Sequence, residues 1–382
     1  MELASDTSRI DSIDGEPNMY PMRIIQSGVG GFGMSWVYAV KDCDGFQHAA
    51  IVDPNPKVLR EAMEVLQLPP ERCFSNLAQA LENVQADGLI DVTPAPFHEN
   101  TTISAMQAGL HVLCEKPISN TIDSAKKMTE VAEMTHRTLM VTQQYRYQDQ
   151  PRCLRQLIKA DVIGPIDHIV AEFQIQGLLF GWRQTMSHPF LMDMAVHHFD
   201  MMRYLLGENA LKVTAQTWNP VGSNTQGDMN AFAWIEFESG ARVNYTGAFS
   251  SPGVDTGWNG RWTITGSKGT VIWNSRDEWG PIRLFRQNAD INQYQEMHFF
   301  TPLPEIWGEV IQPNSMGATG HHYDLYHWRA CIESGAEPET SGRDNLNTLA
   351  LTLAAIESAN TGRSVELESI LSPANYAYRV YP

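Results

Sequence analysis

Gly28-Val29-Gly30-Gly31-Phe32-Gly33 lies between an apolar run, Met22 to Gln26, and Met34 to Val40, whose pattern predicts the start of a helix. A Gly-x-Gly-x-x-Gly between strand and helix has a physical purpose. Gly28 permits the tight turn, Gly30 lets backbone N–H groups approach a pyrophosphate, and Gly33 lets helix and strand pack closely. Gly31 and Phe32 belong to the same cofactor loop. The helix N-terminus then presents unpaired donors and the positive end of its dipole to the anion. Past Gly33, Asp53 ends a second apolar run, Ala49 to Val52. An acid there accepts bonds from an adenosine ribose. A glycine-rich turn without a ligand is the competing reading; strand, helix and acid in this order favour dinucleotide binding.

Working outward, strand-like and helical patterns alternate from Met22 to about Thr142. Helices are predicted at 56–66, 77–83, 99–108 and 121–137, and strands at 88–93, 111–114 and 138–142. Such alternation makes a doubly wound parallel sheet, whose ligands lie beyond the carboxyl ends of the strands. Two strand-end stretches should border that edge: Thr93-Pro94-Ala95-Pro96-Phe97-His98 and Glu115-Lys116-Pro117. Thr93, Pro94 and His98 are expected to shape a cofactor wall, with a satisfied structural role for His98 an equal alternative. Lys116 at a crevice mouth can stabilise an oxygen that gains charge; Glu115 can orient it or pair with it.

From about Tyr145 the pattern changes. Strand-like runs at 166–176, 212–217, 231–238, 241–249, 261–265, 270–274 and 281–286 are joined by short turns, several with glycine. They predict a large, mostly antiparallel open sheet in an α+β domain. The division expected is a disordered leader at 1–20, a dinucleotide domain at 21–144 and a second domain at 145–382, whose last helices pack back on the first. Met19 and Met22 are alternative starts.

The segment Leu191 to Leu206 reads as one helix capped by Gly207. Asp193, His197 and Asp200 then share a face. An acid one turn before a histidine can fix the imidazole tautomer and stabilise its cation, which suits a general base. A plain acid–histidine pair, a working His198, or a metal site using His188, Asp193, His197, His198 and Asp200 are the alternatives. Adjacent histidines on a helix point about 100° apart, and hydride transfer needs no metal, so none is expected.

Net charge is -17 over 382 residues, which argues against nucleic acid or an anionic membrane as partner. The five cysteines form no Cys-x-x-Cys and are widely spaced, which points to a reducing cytoplasm. No apolar run reaches the roughly 18–20 residues of a membrane span.

These motifs together resemble the Gfo/Idh/MocA oxidoreductases, from Met22 to about Leu367. The resemblance rests on Gly28–Gly33, Thr93-Pro94 with His98, Glu115-Lys116-Pro117 and Asp193-x-x-x-His197. It implies a Rossmann first domain, a lysine at 116 touching nicotinamide and substrate, a bond before Pro117 that is often cis, and His197 as general base. It implies a substrate pocket between the domains and a homodimer or homotetramer built through the second sheet. Tyr145, Arg146, Trp182, Arg183 and His198 join Lys116, Asp193 and His197 as expected substrate contacts. Trp258, Trp262, Tyr323, Asn259 and His322 are further aromatic and polar residues of the same neighbourhood. Where many relatives have a glycine-rich segment before Asp193, this chain has the bulkier Trp182 to Leu191. The expected activity is an NAD-dependent dehydrogenase acting on a secondary alcohol of a sugar or cyclitol. NAD is favoured over NADP because Asp53 repels a 2′-phosphate. A redox-neutral glycoside-processing enzyme and an inactive cofactor-sensing regulator are the alternatives.

Overall fold

The structure is a computed structural model and describes residues 20–253, 255–275, 282–286, 308–315 and 317–372. The expected leader, apart from Tyr20, and the tail beyond residue 372 lie outside the described residues. The chain divides into two compact units. One comprises residues up to Tyr147 together with Gly317–Leu349, and the other Gln148–Met316 together with the residues from Ala350 on. The partition is therefore not a single cut near residue 144, because a late segment of the chain belongs to the first unit.

In the first unit, strands β1 (Met22–Ser27), β2 (Phe46–Val52), β3 (Cys73–Phe74), β4 (Gly88–Asp91), β5 (His111–Cys114) and β6 (Leu139–Val141) form a six-stranded sheet in the order β3-β2-β1-β4-β5-β6. Every neighbouring pair is parallel. Helices α1 (Gly33–Lys41), α2 (Pro56–Leu66), α3 (Leu77–Asn83), α4 (Ala95–Gln107) and α5 (Ile122–Thr135) connect the strands. The strands are near-continuous apolar runs because both faces are covered: Ile24, Ile25, Ile51, Leu89, Ile90, Val112 and Leu113 are all 0% exposed. The strand order reverses between β1 and β4, so the loops after these two strands flank the switch point where doubly wound sheets bind ligands. Helix α4 starts earlier than the pattern suggests. Pro94 is its N-cap and Pro96 stands in its first turn, where a missing N–H costs nothing.

In the second unit, α6 (Asp149–Lys159) precedes β7 (Ile166–Gln174), and helix α7 (Val196–Leu206) follows. Then come β8 (Ala210–Trp218), β9 (Asn230–Phe237), β10 (Arg242–Ala248), β11 (Arg261–Gly266), β12 (Gly269–Asn274), β13 (Ile282–Arg286) and β14 (Glu309–Ile311). Helix α8 (Gly320–Ser334) and the first part of α9 (Gly342–Thr361) belong to the first unit, while the rest of α9, strand β15 (Val365–Glu366) and α10 (Leu367–Leu371) belong to the second. The sheet order is β14-β13-β12-β11-β7-β10-β9-β8-β15, antiparallel except where β10 runs parallel to β7. Burial alternates along β9, with Ala233 and Ile235 inside and Phe232 and Trp234 outside. One sheet face is thus covered and the other bears aromatic rings.

The expected single helix at 191–206 is instead two elements. Phe190–Ala195 is a π turn, and α7 begins only at Val196. Gly207 ends α7 in the left-handed region with φ 76°, as its composition implies.

Candidate cofactor and acid–histidine sites

The glycine loop is shaped by contacts that local spacing does not reveal. A Cβ on Gly33 would meet the Gly28 carbonyl oxygen at 2.3 Å, and one on Gly28 would meet the Val92 carbonyl oxygen at 2.6 Å. Gly28 also has φ +86°. Gly30 differs: its Cβ would meet only Val58, at 3.5 Å, an ordinary contact. Nothing in the protein forces glycine there, which fits a position kept bare for a ligand. The N–H groups of Gly30, Gly31 and Phe32 make no hydrogen bond among the described residues. With the α1 N-terminus behind them, they suit a dinucleotide pyrophosphate. Asp53 accepts from Val29 N–H at 3.1 Å and Asn55 N–H at 2.8 Å, and its half-exposed carboxylate is oriented by those two bonds. Its remaining lone pairs can take ribose hydroxyls.

Gln26, wholly buried on β1, donates to the carbonyls of Gly28 at 3.0 Å and Gly33 at 2.8 Å. Its own oxygen meets His48 Nε2 at 2.9 Å. Burial drives the His48 pKa down to about 3, so the imidazole is neutral and can donate to Gln26. This clamp on the loop was missed from sequence. A polar residue inside an apolar strand was its available signal.

The two other strand-end stretches are tied together by His98. Its Nε2 is 2.6 Å from the Thr93 carbonyl, and its Nδ1 is 3.1 Å from that of Pro117 and 3.2 Å from that of Ile118. The ring is 1% exposed. His98 therefore joins the loop after β4 to the loop after β5, and of its two expected roles the structural one matches this placement. Thr93 gives its N–H and hydroxyl to Asp91, and Pro94 caps α4. Asp91, His98 and Cys114 bring ligand-type atoms within 4.8 Å of one another. Both His98 nitrogens already face carbonyls and Asp91 takes donors from Thr93 and Thr102, so the trio is hydrogen-bonded core.

Lys116 is half-buried and its bond to Pro117 is cis. Glu115, 4% exposed, accepts Lys116 N–H at 3.0 Å and Trp36 Nε1–H at 2.8 Å. It fixes the backbone of the lysine turn. Trp36 in turn carries the His321 ring, 4.2 Å away centroid to centroid, and Phe32 meets that ring edge-on at 5.6 Å. Asp324, one turn further along α8, is 0% exposed, and neither carboxyl oxygen has a hydrogen-bond partner among the described residues. Burial, reinforced by the Glu115 charge, raises its pKa to about 7, against the pull of His321. None of these α8 partners was legible in the motif pattern.

Tyr145 is half-buried, whereas Arg146 is 5% exposed and lies 3.7 Å from the Asp344 carboxylate in α9. Burial of Arg146 against an acid of its own unit runs against its expected substrate role. Tyr323 stacks on Tyr147 at 4.5 Å, while His322 is exposed.

In the second unit the acid–histidine segment begins in a π turn and not in a single α-helix. Asp193 lies in the π turn, where i→i+5 bonding changes the angular step, and His197 opens α7. Asp193 Oδ2 accepts from Arg183 Nε at 3.0 Å. His197 is 3% exposed. Asp200 is buried near Arg203, with 4.0 Å between carboxylate and guanidinium. His198, an expected substrate contact, is 1% exposed. Its Nδ1 meets Tyr245 Oη at 2.7 Å, its Nε2 meets the Trp258 carbonyl at 2.9 Å, and burial lowers its pKa to about 4. Trp262 is likewise core at 1% exposure, its indole donating to the Asn259 carbonyl, while Trp182 and Trp258 are 36% and 53% exposed.

Among the described residues, no helix is long and apolar enough to cross a membrane. Residues 22–143 match the model described as "Oxidoreductase family, NAD-binding Rossmann fold", and residues 155–367 match "Oxidoreductase family, C-terminal alpha/beta domain". D-apiose dehydrogenase of Paraburkholderia graminis is 28% identical, over 91% of this chain and 90% of its own. Myo-inositol 2-dehydrogenase of Thermotoga maritima is 25% identical, over 92% of this chain and 100% of its own. The crystal structure of an oxidoreductase from Agrobacterium radiobacter, in complex with NAD+, L-tartaric acid and magnesium, superposes with a TM-score of 0.78 at 23% identity, over 92% of this chain and 99% of its own. With both domains matched in order, the chain belongs to the Gfo/Idh/MocA oxidoreductase family, and its glycine loop is that of an NAD-binding Rossmann domain.

Proposed function

We propose that the protein is an NAD-dependent dehydrogenase oxidising a secondary alcohol of a sugar or cyclitol. The observation that carries this reading is the parallel sheet edge where Gly28–Gly33, Asp53 and Lys116 all follow their strands. Its relatives named as D-apiose and myo-inositol 2-dehydrogenases act on this substrate class by name. The nicotinamide of bound NAD supplies the hydride acceptor. His197 takes the hydroxyl proton as the carbinol C–H bond breaks and the carbonyl forms. Lys116 stabilises the oxygen while charge develops on it. Asp193, steadied by Arg183, orients His197. NAD rather than NADP follows from Asp53, whose carboxylate repels a 2′-phosphate. Association of copies through the open face of the second sheet completes the reading.

The test is NADH formation across a panel of sugars and inositols. Removing a general acid–base group costs about a hundred- to ten-thousandfold in rate and removing a donor to a developing oxyanion about a hundred- to a thousandfold, so His197→Ala and Lys116→Ala should each lose at least about a hundredfold while still binding NADH. Wild-type turnover by either variant on a confirmed substrate would overturn its assigned role.

A further inference from the structure

Arg183 is the sole lysine or arginine between Lys159 and Arg203 in a strongly acidic chain. Its Nε is bonded to Asp193 and its guanidinium carbon lies 4.5 Å from the Trp182 ring centroid. One edge and one face of the guanidinium are therefore fixed by the protein. The Nη1 and Nη2 groups have no partner among the described residues, and the side chain is 31% exposed. An arginine held in this way presents a coplanar pair of donors that matches two oxygens of one oxyanion.

The turn that carries it is also built to stay put. Gly181–Thr185 is a short 3₁₀ segment. Gln184 donates to the Asn224 carbonyl at 3.1 Å and accepts from Gln226 N–H at 2.8 Å through its own carbonyl. Thr185 Oγ1 closes onto the Trp182 carbonyl at 2.9 Å. A rigid donor fork loses little entropy when it binds, and that favours recognition over a chance surface pair. Trp182 adds an exposed ring beside the fork, suited to the C–H face of a sugar.

We infer that the substrate is a sugar acid and that Arg183, through its Nη edge, receives the carboxylate. This rests on the dehydrogenase reading, which puts Asp193 in the machinery. A carboxylate fits better than a phosphate ester. Asp193 already brings one negative charge to the guanidinium, and a second monoanion across the same group is tolerated where a dianion is repelled. A neutral polyol would leave the fork's charge unused.

The experiment uses the full chain loaded with NAD+. Calorimetry and NADH formation are measured with D-gluconate, D-glucuronate and D-galacturonate, with their neutral counterparts D-glucitol, D-glucose and D-galactose, and with glucose 6-phosphate. Wild-type protein should prefer an acid over its neutral counterpart by about ten- to a hundredfold, the range of a charged hydrogen-bonded pair. Arg183→Ala should abolish that preference, raising KM for the acid far more than for its neutral counterpart, while the loss of kcat from the released Asp193 falls on both alike and NADH affinity is unchanged. Arg183→Lys, which keeps the charge without the fork, should restore only part of it. Acid binding that depends on Arg183 without NADH formation would uphold the inference and overturn the dehydrogenase reading. Equal turnover of neutral and acidic sugars would do the reverse. Preference for glucose 6-phosphate, or binding of no acid at all, would overturn the inference.

Discussion

At the scale of single residues, Asp324 is the unusual group. A carboxyl buried with no hydrogen-bond partner among the described residues costs least when it keeps its proton, and its pKa accordingly stands near 7 rather than 3.8. His321 Nδ1 is 3.9 Å away, beyond hydrogen-bond length, and Glu115 adds a like charge. Because the folded state holds this proton more tightly than the unfolded chain, its stabilising effect is present at acid pH and is lost as pH rises from about 4 through about 7. A displacement of about three pH units corresponds to on the order of 4 kcal/mol. His48 and His198 act in the opposite sense: their folded pKa values of about 3 and about 4 make stability fall as pH drops below 6.5. The wild-type curve alone thus mixes the two slopes. The difference in unfolding free energy between wild type and Asp324→Asn, followed by urea denaturation from pH 4 to 8, isolates the acid and should decline with pH by that amount. A flat difference curve would mean Asp324 is ionised or solvated. Gln26 offers a second residue-scale check. Gln26→Leu keeps the apolar strand but releases two loop carbonyls and strands His48, so it should cost about 1–3 kcal/mol and weaken NADH binding in a fluorescence titration. Neither role was visible in the sequence. Asp324 and Glu115, or Gln26 and His48, meet only because elements far apart in the chain are packed together, and no local spacing encodes that.

At the scale of elements, local chemistry was more readable. Glycines, Asp53 and apolar runs specify a strand–loop–helix with few long-range inputs, so β1, α2, α3 and β5 fall where their patterns place them, while β2 begins three residues before its apolar run. The acid–histidine segment was misread for an equally physical reason. A π turn differs from an α turn by one residue in its hydrogen bonding, and apolar residues such as Phe190, Leu191 and Met192 are buried in either. Within that turn Asp193 accepts from Arg183 Nε, a partner that the i, i+4 spacing to His197 does not announce. Glycine variants separate what the loop needs for folding from what it needs for ligand. Gly33→Ala drives a methyl to 2.3 Å from the Gly28 carbonyl, so the loop must distort and thermal denaturation should show a clear loss of stability. Gly30→Ala meets only Val58 at 3.5 Å. Its melting temperature should match wild type, while NADH affinity falls by about tenfold or more because the methyl occupies the anion's approach. Equal NADH affinity in Gly30→Ala would remove the pyrophosphate from this loop.

At the scale of the whole molecule, the chain builds one unit from two separated stretches, and the boundary falls inside α9. Sequence alternation announced the parallel sheet and the many short strands of the second one. It did not announce that β10 would run parallel to β7, because pairing partners are set by three-dimensional closure and not by strand propensity. Nor could it say which sheet face stays open. The structure shows Trp218, Phe232 and Trp234 at 37%, 48% and 46% exposure, with Trp218 and Phe232 rings 4.7 Å apart. Adjacent aromatic side chains on one sheet face are costly to leave in water, at about 25 cal/mol for each Å². Their burial between copies of the chain would relieve that cost. Phe232→Asp with Trp234→Asp should then reduce the mass measured by light scattering to that of one chain. The core positions Ala233 and Ile235 on the opposite face are untouched, so far-ultraviolet circular dichroism and NADH binding should persist. Charges at these two positions of β9 would also repel across a symmetric contact, which makes the loss of association steep at low salt and partly reversible at high salt. An unchanged oligomeric mass in a folded variant would place the contact elsewhere on the surface, and a monomeric wild type would require another role for the aromatic face.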